Sequence, residues 1–162
     1  MSYDTLAQAL TRPGQPETAL KAIQDACQEL IGHKLFTVLV LDHARGLNSR
    51  FYTSHPVEYP VGGFKPIDPT REFYEIVVNQ GEPRFLRDRE TIISTFPDHA
   101  AILGLGCESG VNMPVRWNGR TLGSINLLHE AGYYGPQHRP VLNVLAALSI
   151  APFLRIIESQ SV

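Results

Sequence analysis

Two runs of alternating residues, separated by an Asn-Gly pair, restrict the fold of this 162-residue chain more than any other feature. Residues 108–117 and 120–129 flank Asn118-Gly119. Asn-Gly readily adopts positive φ at both central positions of a type I′ turn, whose twist matches that of two antiparallel strands. The pattern therefore predicts a β-hairpin in the centre of an antiparallel sheet.

Alternation along the first run divides its side chains between two faces of the predicted strand. The apolar face holds Val111, Met113, Val115 and Trp117, and the other face holds Asn112, Pro114 and Arg116. Asn112 and Asn126 lie within strands that should be central, where a buried amide has to be hydrogen-bonded. Asn112 is therefore expected either to hold a loop or to face a ligand, whereas a structural role is favoured for Asn126.

Apolar periodicity predicts helices at both ends of the chain and further strands between them. The predicted elements are an amphipathic helix at 17–32, a buried strand at 35–41, its antiparallel return at 47–54, a helix with Thr70 as N-cap, an edge strand at 82–86, an irregular or helical segment at 88–103 broken at Phe96-Pro97, and a long apolar helix at 136–160. Pro152 should kink or split the last helix, because proline cannot donate a backbone N–H. Phe51 and Tyr52 are expected on opposite faces of their strand.

Residues 55–69 form an unusually long connection. They include three prolines before Pro69, namely Pro56, Pro60 and Pro66, and the pair Gly62-Gly63, with apolar residues between them. Such loops in compact domains often serve as lids or binding loops, although a merely long connection remains open as the alternative.

These elements predict an α+β sandwich. Tight turns between consecutive strands favour a central antiparallel sheet, and the terminal helices would pack together on one face of it. The loop and the middle helix would cover the other face and leave a pocket there. We expect residues 1–16 to be an N-terminal leader and residues 17–160 to be a single domain.

Charge and composition exclude several classes of protein. The net charge is −2 and the pI is near 6.3, so the chain lacks the basic field that nucleic acid or an anionic membrane would select. The apolar runs are too short to cross a bilayer, and residues 1–15 lack the features of a signal peptide. The two cysteines do not suggest a disulfide scaffold or a zinc site, so we expect a cytoplasmic protein without a metal.

Three segments resemble the GAF domain family: residues 19–42, Gly81-Glu-Pro83, and above all Gly110-Val-Asn-Met-Pro-Val-Arg-Trp-Asn-Gly-Arg-Thr-Leu-Gly-Ser-Ile-Asn-Leu127. The last of these is similar to the run in which a Val-Pro-like strand meets a turn and then a Gly-x-Leu-Asn-Leu-like strand. The resemblance covers residues 17–158. It implies a sensor-type fold with a small-molecule pocket, but it does not identify the ligand.

The specialised branches of this family match less well. Tetrapyrrole-binding members commonly have a histidine after the attachment cysteine, whereas Cys27 precedes Gln28 and Cys107 precedes Glu108. The dispersed Asn-Lys-Phe-Asp-Glu signature of the cyclic-nucleotide branch is absent from the sequence.

The branch that reduces free methionine-(R)-sulfoxide has a run similar to Phe96-Pro-Asp-His-Ala-Ala101. Here, however, Ile102 stands where that branch has a cysteine, and Gly110 replaces its acidic residue. The upstream cysteine between glycines is also missing. These departures argue against the reductase activity.

Candidate ligand-contacting residues lie on the predicted strands, the long loop and the segment before the hairpin: Tyr52, His55, Phe64, His99, Cys107 and Asn112. Cys107, in a glycine-rich turn, is either an exposed reactive thiol or a small buried residue. We identify no catalytic residues, and the cofactor is unknown.

The sequence favours a sensory domain that binds an unidentified small molecule without catalysis and acts in trans or as a homodimer through its terminal helices. Two alternatives remain open: a thiol-dependent enzyme that uses Cys107, and an interaction subunit without a ligand.

Overall fold

Six strands form one antiparallel sheet in the computed structural model, which describes residues 2–160. They are β1 (Leu35–Asp42), β2 (Leu47–Thr53), β3 (Lys65–Pro66), β4 (Arg84–Leu86), β5 (Ser109–Trp117) and β6 (Arg120–His129). Their order across the sheet is β3-β2-β1-β6-β5-β4, and all neighbours pair antiparallel. The predicted hairpin strands are both central, and β4 is an edge strand as predicted.

The hairpin turn has the backbone conformation that its two residues predict. Asn118 has φ 53° and Gly119 has φ 76°, so both lie in the left-handed region that a type I′ turn requires. Asparagine and glycine tolerate this region better than other residues, which is why the chain reverses here.

Six α-helices and two short helical segments complete the described chain. The α-helices are α1 (Ser2–Ala9), α2 (Glu17–Leu30), α3 (Arg89–Thr95), α4 (His99–Gly104), α5 (Arg139–Leu148) and α6 (Ile150–Gln160); a π-helix spans Tyr74–Asn79 and a 3₁₀ turn spans Pro136–His138. The predicted C-terminal helix is split at Ser149, and the axes on either side differ by 45°. Pro152 therefore lies in the first turn of α6, where a missing N–H is tolerated.

None of the helices within residues 2–160 is by itself both long and apolar enough to span a membrane. The two helical segments on either side of Ser149 meet that criterion only when they are taken together. Their apolar residues, including Leu142, Leu145, Phe153 and Ile156, are buried in the protein core.

The main core lies between the sheet and the four helices α1, α2, α5 and α6. Alternation along β1 directs Phe36, Val38 and Val40 towards these helices, and β6 contributes Ile125 and Leu127. The terminal helices thus pack on one face of the sheet, as predicted. Leu6 of α1 is fully buried in the same core.

One expected arrangement of side chains in β2 is wrong, and irregular pairing explains it. Val38 pairs with Tyr52 and Leu39 pairs with Arg50, which leaves Phe51 as an extra residue in β2. Because of this bulge, Phe51 and Tyr52 both pack against the helix-side core instead of lying on opposite faces.

A second register shift, between Val115 and Arg116, lies near the end of β5. Trp117 beyond it is 55% exposed and does not join Val111, Met113 and Val115 in the core.

The opposite face of the sheet is covered by residues between β2 and β5. This lid contains β3, the π-helix, α3 and α4. Thr70 does not cap the helix as expected, because its hydroxyl and backbone N–H both donate to Asp68 Oδ1 in a local turn. The helical residues begin beyond this turn.

Gly123 in β6 allows a terminal helix to lie directly on the strand backbone. A Cβ at this position would overlap the carbonyl oxygen of Leu39 and would lie 2.8 Å from Cε2 of Phe153. The carbonyl belongs to the neighbouring strand and cannot move without breaking the β1–β6 pairing. Only glycine fits here without distorting the sheet.

We expect Gly123→Ala to lower the free energy of unfolding by about 3 kcal/mol, as overpacking against a fixed backbone does. Urea denaturation followed by circular dichroism measures the change. Gly62→Ala is the matched control, because nothing lies within 4 Å of the added methyl group. Equal stability of the two variants would contradict this packing.

Candidate functional site

A cavity of about 690 Å³ lies between the sheet and the lid. Its floor comes from β1, β2, β4, β5 and β6, including Thr37, Leu39, Arg84, Asn112 and Asn126. Its walls and roof come from Tyr59, residues 65–69, Arg71, the π-helix region, and the segment around Phe96-Pro97. The pocket predicted on this face is therefore present.

A row of polar side chains crosses the cavity floor from one strand to the next. Arg84 pairs with Asn112, Asn112 with Asn126, and Asn126 with Thr37 in the registers of four neighbouring strands. Directly paired residues point to the same face of a sheet, so the four side chains form a line. We call these four residues the polar row.

Hydrogen bonds connect the polar row in one direction. Arg84 Nε donates to Asn112 Oδ1 at 2.9 Å, and Asn112 Nδ2 donates to Asn126 Oδ1 at 2.8 Å. Asn126 Nδ2 then donates to Thr37 Oγ1 at 3.1 Å. Ser124 Oγ also donates to Asn126 Oδ1, at 2.9 Å, so both amides are held in defined orientations.

Arg84 ends the polar row as a buried cation. It is only 7% exposed, and its guanidinium lies 5.4 Å from the centroid of the Phe73 ring. Burial lowers the pKa of Arg84 below its ordinary value, because loss of water disfavours the charged form. The group nevertheless remains charged at neutral pH, since an arginine pKa starts so high.

A second arginine fastens the lid to the sheet. Arg50 in β2 forms an ion pair with Asp98 at 3.0 Å and donates through Nη1 to the carbonyl of Pro60 at 2.6 Å. Its guanidinium also lies 3.7 Å from the centroid of the Tyr59 ring. One side chain thus contacts two separate parts of the lid.

Of the six residues proposed from the sequence as ligand contacts, Asn112 lines this cavity. Tyr52 lies on the helix side of the sheet, where its hydroxyl donates to the side chain of Gln24. Phe64 is 49% exposed, with the Arg45 guanidinium 4.9 Å from its ring centroid. These three residues are not brought together.

The remaining three lie around the lid without lining the cavity. His55 is hydrogen-bonded through Nδ1 to Ser54 Oγ, at 2.8 Å. His99 begins α4, with its Nδ1 2.8 Å from the carbonyl oxygen of Phe96. Cys107 is fully buried in a small apolar cluster with Leu35, Leu86 and Ile92.

Known proteins were compared with the chain by sequence and by structure. No protein-family model matches the chain, and no curated protein is similar to it in sequence. Solved structures do match. The GAF domain of an Acinetobacter phosphoenolpyruvate-protein phosphotransferase superposes with a TM-score of 0.75 at 11% identity, covering 99% of this chain and 96% of that one. The protein has a GAF fold.

Two further GAF-like structures have different roles. The GAF domain of a two-component sensor histidine kinase from Bacillus halodurans matches with a TM-score of 0.70 at 11% identity, covering 88% of this chain and 95% of that one. Free methionine-R-sulfoxide reductase from Neisseria meningitidis, solved with its substrate, matches with a TM-score of 0.65 at 16% identity, covering 99% and 89%. The predicted antiparallel α+β fold of the GAF kind is thus confirmed.

The thiols in this GAF fold are poorly placed for catalysis. Burial raises the pKa of Cys107 to about 11, although nearby Lys34 acts in the opposite direction. Burial also raises the pKa of Cys27, which lies in the helix-side core on the other face of the sheet. A thiolate is the nucleophilic form, and neither residue forms one readily near neutral pH.

Metal binding has no support in the part of the chain that the structure describes. No group of three or more histidine, cysteine or acidic side chains is placed to hold an ion there.

Sequence reasoning missed Arg84, the most buried charge at the cavity. The available signal was a basic residue in a short strand between Pro83 and Phe85. Its partner Asn112 lies 28 residues further along the chain, so local pattern alone does not connect the two.

We expect Cys107 to react with the disulfide reagent DTNB at least about a hundredfold more slowly in the folded than in the unfolded protein. At pH 8, a thiol with a pKa of about 11 is only about one-thousandth ionised, and burial also blocks access. The Cys27→Ser variant isolates the reaction of Cys107. Equal rates for folded and denatured forms of that variant would contradict its burial.

Proposed function

We propose that this protein is a regulatory GAF domain that binds a small molecule in the cavity above the polar row. Ligand binding is the input signal, which the domain passes to a partner protein in trans or to a second copy of the chain. It performs no catalysis on the ligand.

The cavity and its floor carry this proposal. Ligand pockets typically measure about 300–1,000 Å³ and combine apolar walls with a few well-placed polar groups. The present cavity has a volume of about 690 Å³, with Tyr59, Phe73, Tyr74 and Phe96 among its aromatic walls. Its polar row is held by hydrogen bonds within the sheet, so these groups need little reordering when a ligand enters.

The two cysteines support binding over catalysis. Cys107 is buried outside the cavity lining, and its raised pKa keeps it protonated near neutral pH. A thiol mechanism needs a thiolate within reach of the substrate and a partner that resolves the intermediate. Cys27 lies across the sheet and is not placed to be that partner.

The terminal helices support assembly as a homodimer. Val144 of α5 is 41% exposed and Leu154 of α6 is 37% exposed, although each belongs to a helix that otherwise buries its apolar face. Pairing of two copies through these helices would bury both side chains in a helix bundle.

The proposed ligand-binding domain spans residues 17–160, and α1 before it packs on α2 and places Leu6 in the same core, so this helix belongs to the folded unit. We place it in the cytoplasm, since both cysteines are free, as is usual in a reducing compartment.

We expect native mass spectrometry of undialysed protein, followed by a thermal-shift screen of metabolites, to identify a ligand of the cavity. At a ligand concentration of 100 Kd, the linkage relation predicts stabilisation by about 2.7 kcal/mol, which raises Tm by about 5–10 °C. Leu39→Trp should abolish the shift, because Leu39 lines the cavity floor and the larger ring fills it.

The matched control for this experiment is Ile93→Trp, on a 41% exposed position of α3 outside the cavity. It should leave the ligand-induced shift unchanged. If no metabolite changes the Tm, or if Leu39→Trp and Ile93→Trp respond alike, the cavity is not a ligand site.

Light scattering after size exclusion is expected to give the mass of a dimer. The double variant Val144→Asp/Leu154→Asp should be monomeric, because it places charges where two apolar surfaces meet. The control Ile93→Asp, at an equally exposed apolar position on the lid, should stay dimeric. A strictly monomeric wild-type protein at all concentrations would remove the homodimer from this proposal.

A further inference from the structure

Arg84 is a buried positive charge without an acidic partner in the described part of the chain. Its side chain is more than nine-tenths buried and lines the cavity. None of the ion pairs within residues 2–160 includes it. A buried charge without a counter-charge is costly, so proteins rarely retain one unless something else compensates it.

The donors of Arg84 are only partly used. Nε donates to Asn112, whereas Nη1 and Nη2 have no hydrogen-bond acceptor among the described residues. The two Nη atoms carry four N–H groups in a planar fork. Because Asn112 holds the Nε edge, the guanidinium is fixed in orientation while its remaining donors stay available beside the cavity.

Two of the other three cations that line the cavity have acidic partners. Arg50 is paired with Asp98 at 3.0 Å, and Arg71 lies 3.6 Å from Asp68. Glu72 acts favourably on the charge of Arg84, but it is exposed and forms no ion pair with it. Among the described residues that line the cavity, Arg84 is therefore the buried cation without a carboxylate partner.

The sum of the lining charges agrees with this assignment. Four cationic side chains, Arg50, Lys65, Arg71 and Arg84, line the cavity against two carboxylates, Asp68 and Asp98. The difference is two positive charges. Lys65 lies in the exposed strand β3, so it can add to the attraction of an anion without holding it in the interior.

We infer that the ligand of this cavity is a small organic anion whose carboxylate or phosphate group binds the Nη edge of Arg84. A planar guanidinium fork binds both groups through paired, charge-assisted hydrogen bonds. The rest of the ligand is apolar or aromatic and lies against Phe73 and Tyr74, which line the same cavity. This inference rests on the proposed ligand-binding function and names its chemical class.

The hydroxyl of Thr37 fits the same ligand class. Thr37 Oγ1 accepts a hydrogen bond from Asn126, and its own proton has no acceptor among residues 2–160. The polar row therefore offers donors at both of its ends, which suits a ligand rich in acceptors.

The test is calorimetric titration and thermal shift with small aromatic and aliphatic carboxylates, the corresponding phosphate monoesters, and the uncharged amide of each carboxylate. Inorganic phosphate alone forms a separate arm, which distinguishes a free oxyanion from an organic one. We expect at least one organic anion to bind, and its amide to bind at least about tenfold more weakly. Comparison of the carboxylate and phosphate arms identifies the head group.

Arg84→Met should weaken binding of that anion at least about tenfold, because it removes the charge and the fork while keeping an unbranched side chain. Arg84→Lys keeps the charge but lacks the planar guanidinium, so its affinity for the anion should lie between those of the wild type and Arg84→Met. This graded loss would show that the weaker binding of Arg84→Met does not come from a folding defect alone. Arg89→Met is the control for charge alone, since Arg89 is exposed at the start of α3 and does not line the cavity. Its affinity should stay within about twofold of the wild type.

The inference is overturned if no organic anion in the panel binds, if amides bind as well as their carboxylates, or if Arg84→Met and Arg89→Met behave alike. Binding of inorganic phosphate alone, without any organic anion, also overturns it. Uncharged ligands that bind and are blocked by Leu39→Trp would leave the proposed function intact while removing the anion. If neither anions nor uncharged ligands bind, the proposed function and the anion inference are both wrong.

Discussion

The double pairing of β6, with β1 on one side and β5 on the other, is the constraint on which the rest of this structure depends. Because strand side chains alternate, β6 must direct Ile125 and Leu127 to the helices and Ser124, Asn126 and Leu128 to the opposite face. A one-residue slip would exchange the two sets and place an amide in the apolar core. The register of β6 thus determines which face of the sheet carries the apolar core and which face carries the polar row.

The polar row shows how stability and function are divided within the sheet. Each amide in the row has a partner, so Asn112 and Asn126 carry little cost of burial and keep each other in place. The cost is concentrated at Arg84, the end of the row, where charge is buried without a carboxylate. Residues held at an energetic disadvantage by their neighbours are common at binding sites, and the unused donors of Arg84 are consistent with that role.

Local sequence pattern predicted the parts of the fold that local chemistry controls. The Asn118-Gly119 turn, the buried strand β1 and the split near Pro152 each depend on a few adjacent residues. The candidate site was harder, since Arg84 and Asn112 meet only through strand pairing between distant segments. Tyr52 was misplaced for a related reason: one extra residue in β2 reverses the face of a side chain, and no simple alternation rule reveals such a bulge.

At Gly123, only the backbone of β6 separates the helix-side core from the cavity side of the sheet. The ring of Phe153 approaches the strand from the helical side, while the adjacent Ser124 donates on the other side to Asn126 of the cavity floor. No layer of side chains separates them at that point to absorb a displacement. A displacement of the β6 backbone at Gly123 would therefore change the contacts of both the terminal helix and the polar row, and a substitution on one side is expected to affect the other.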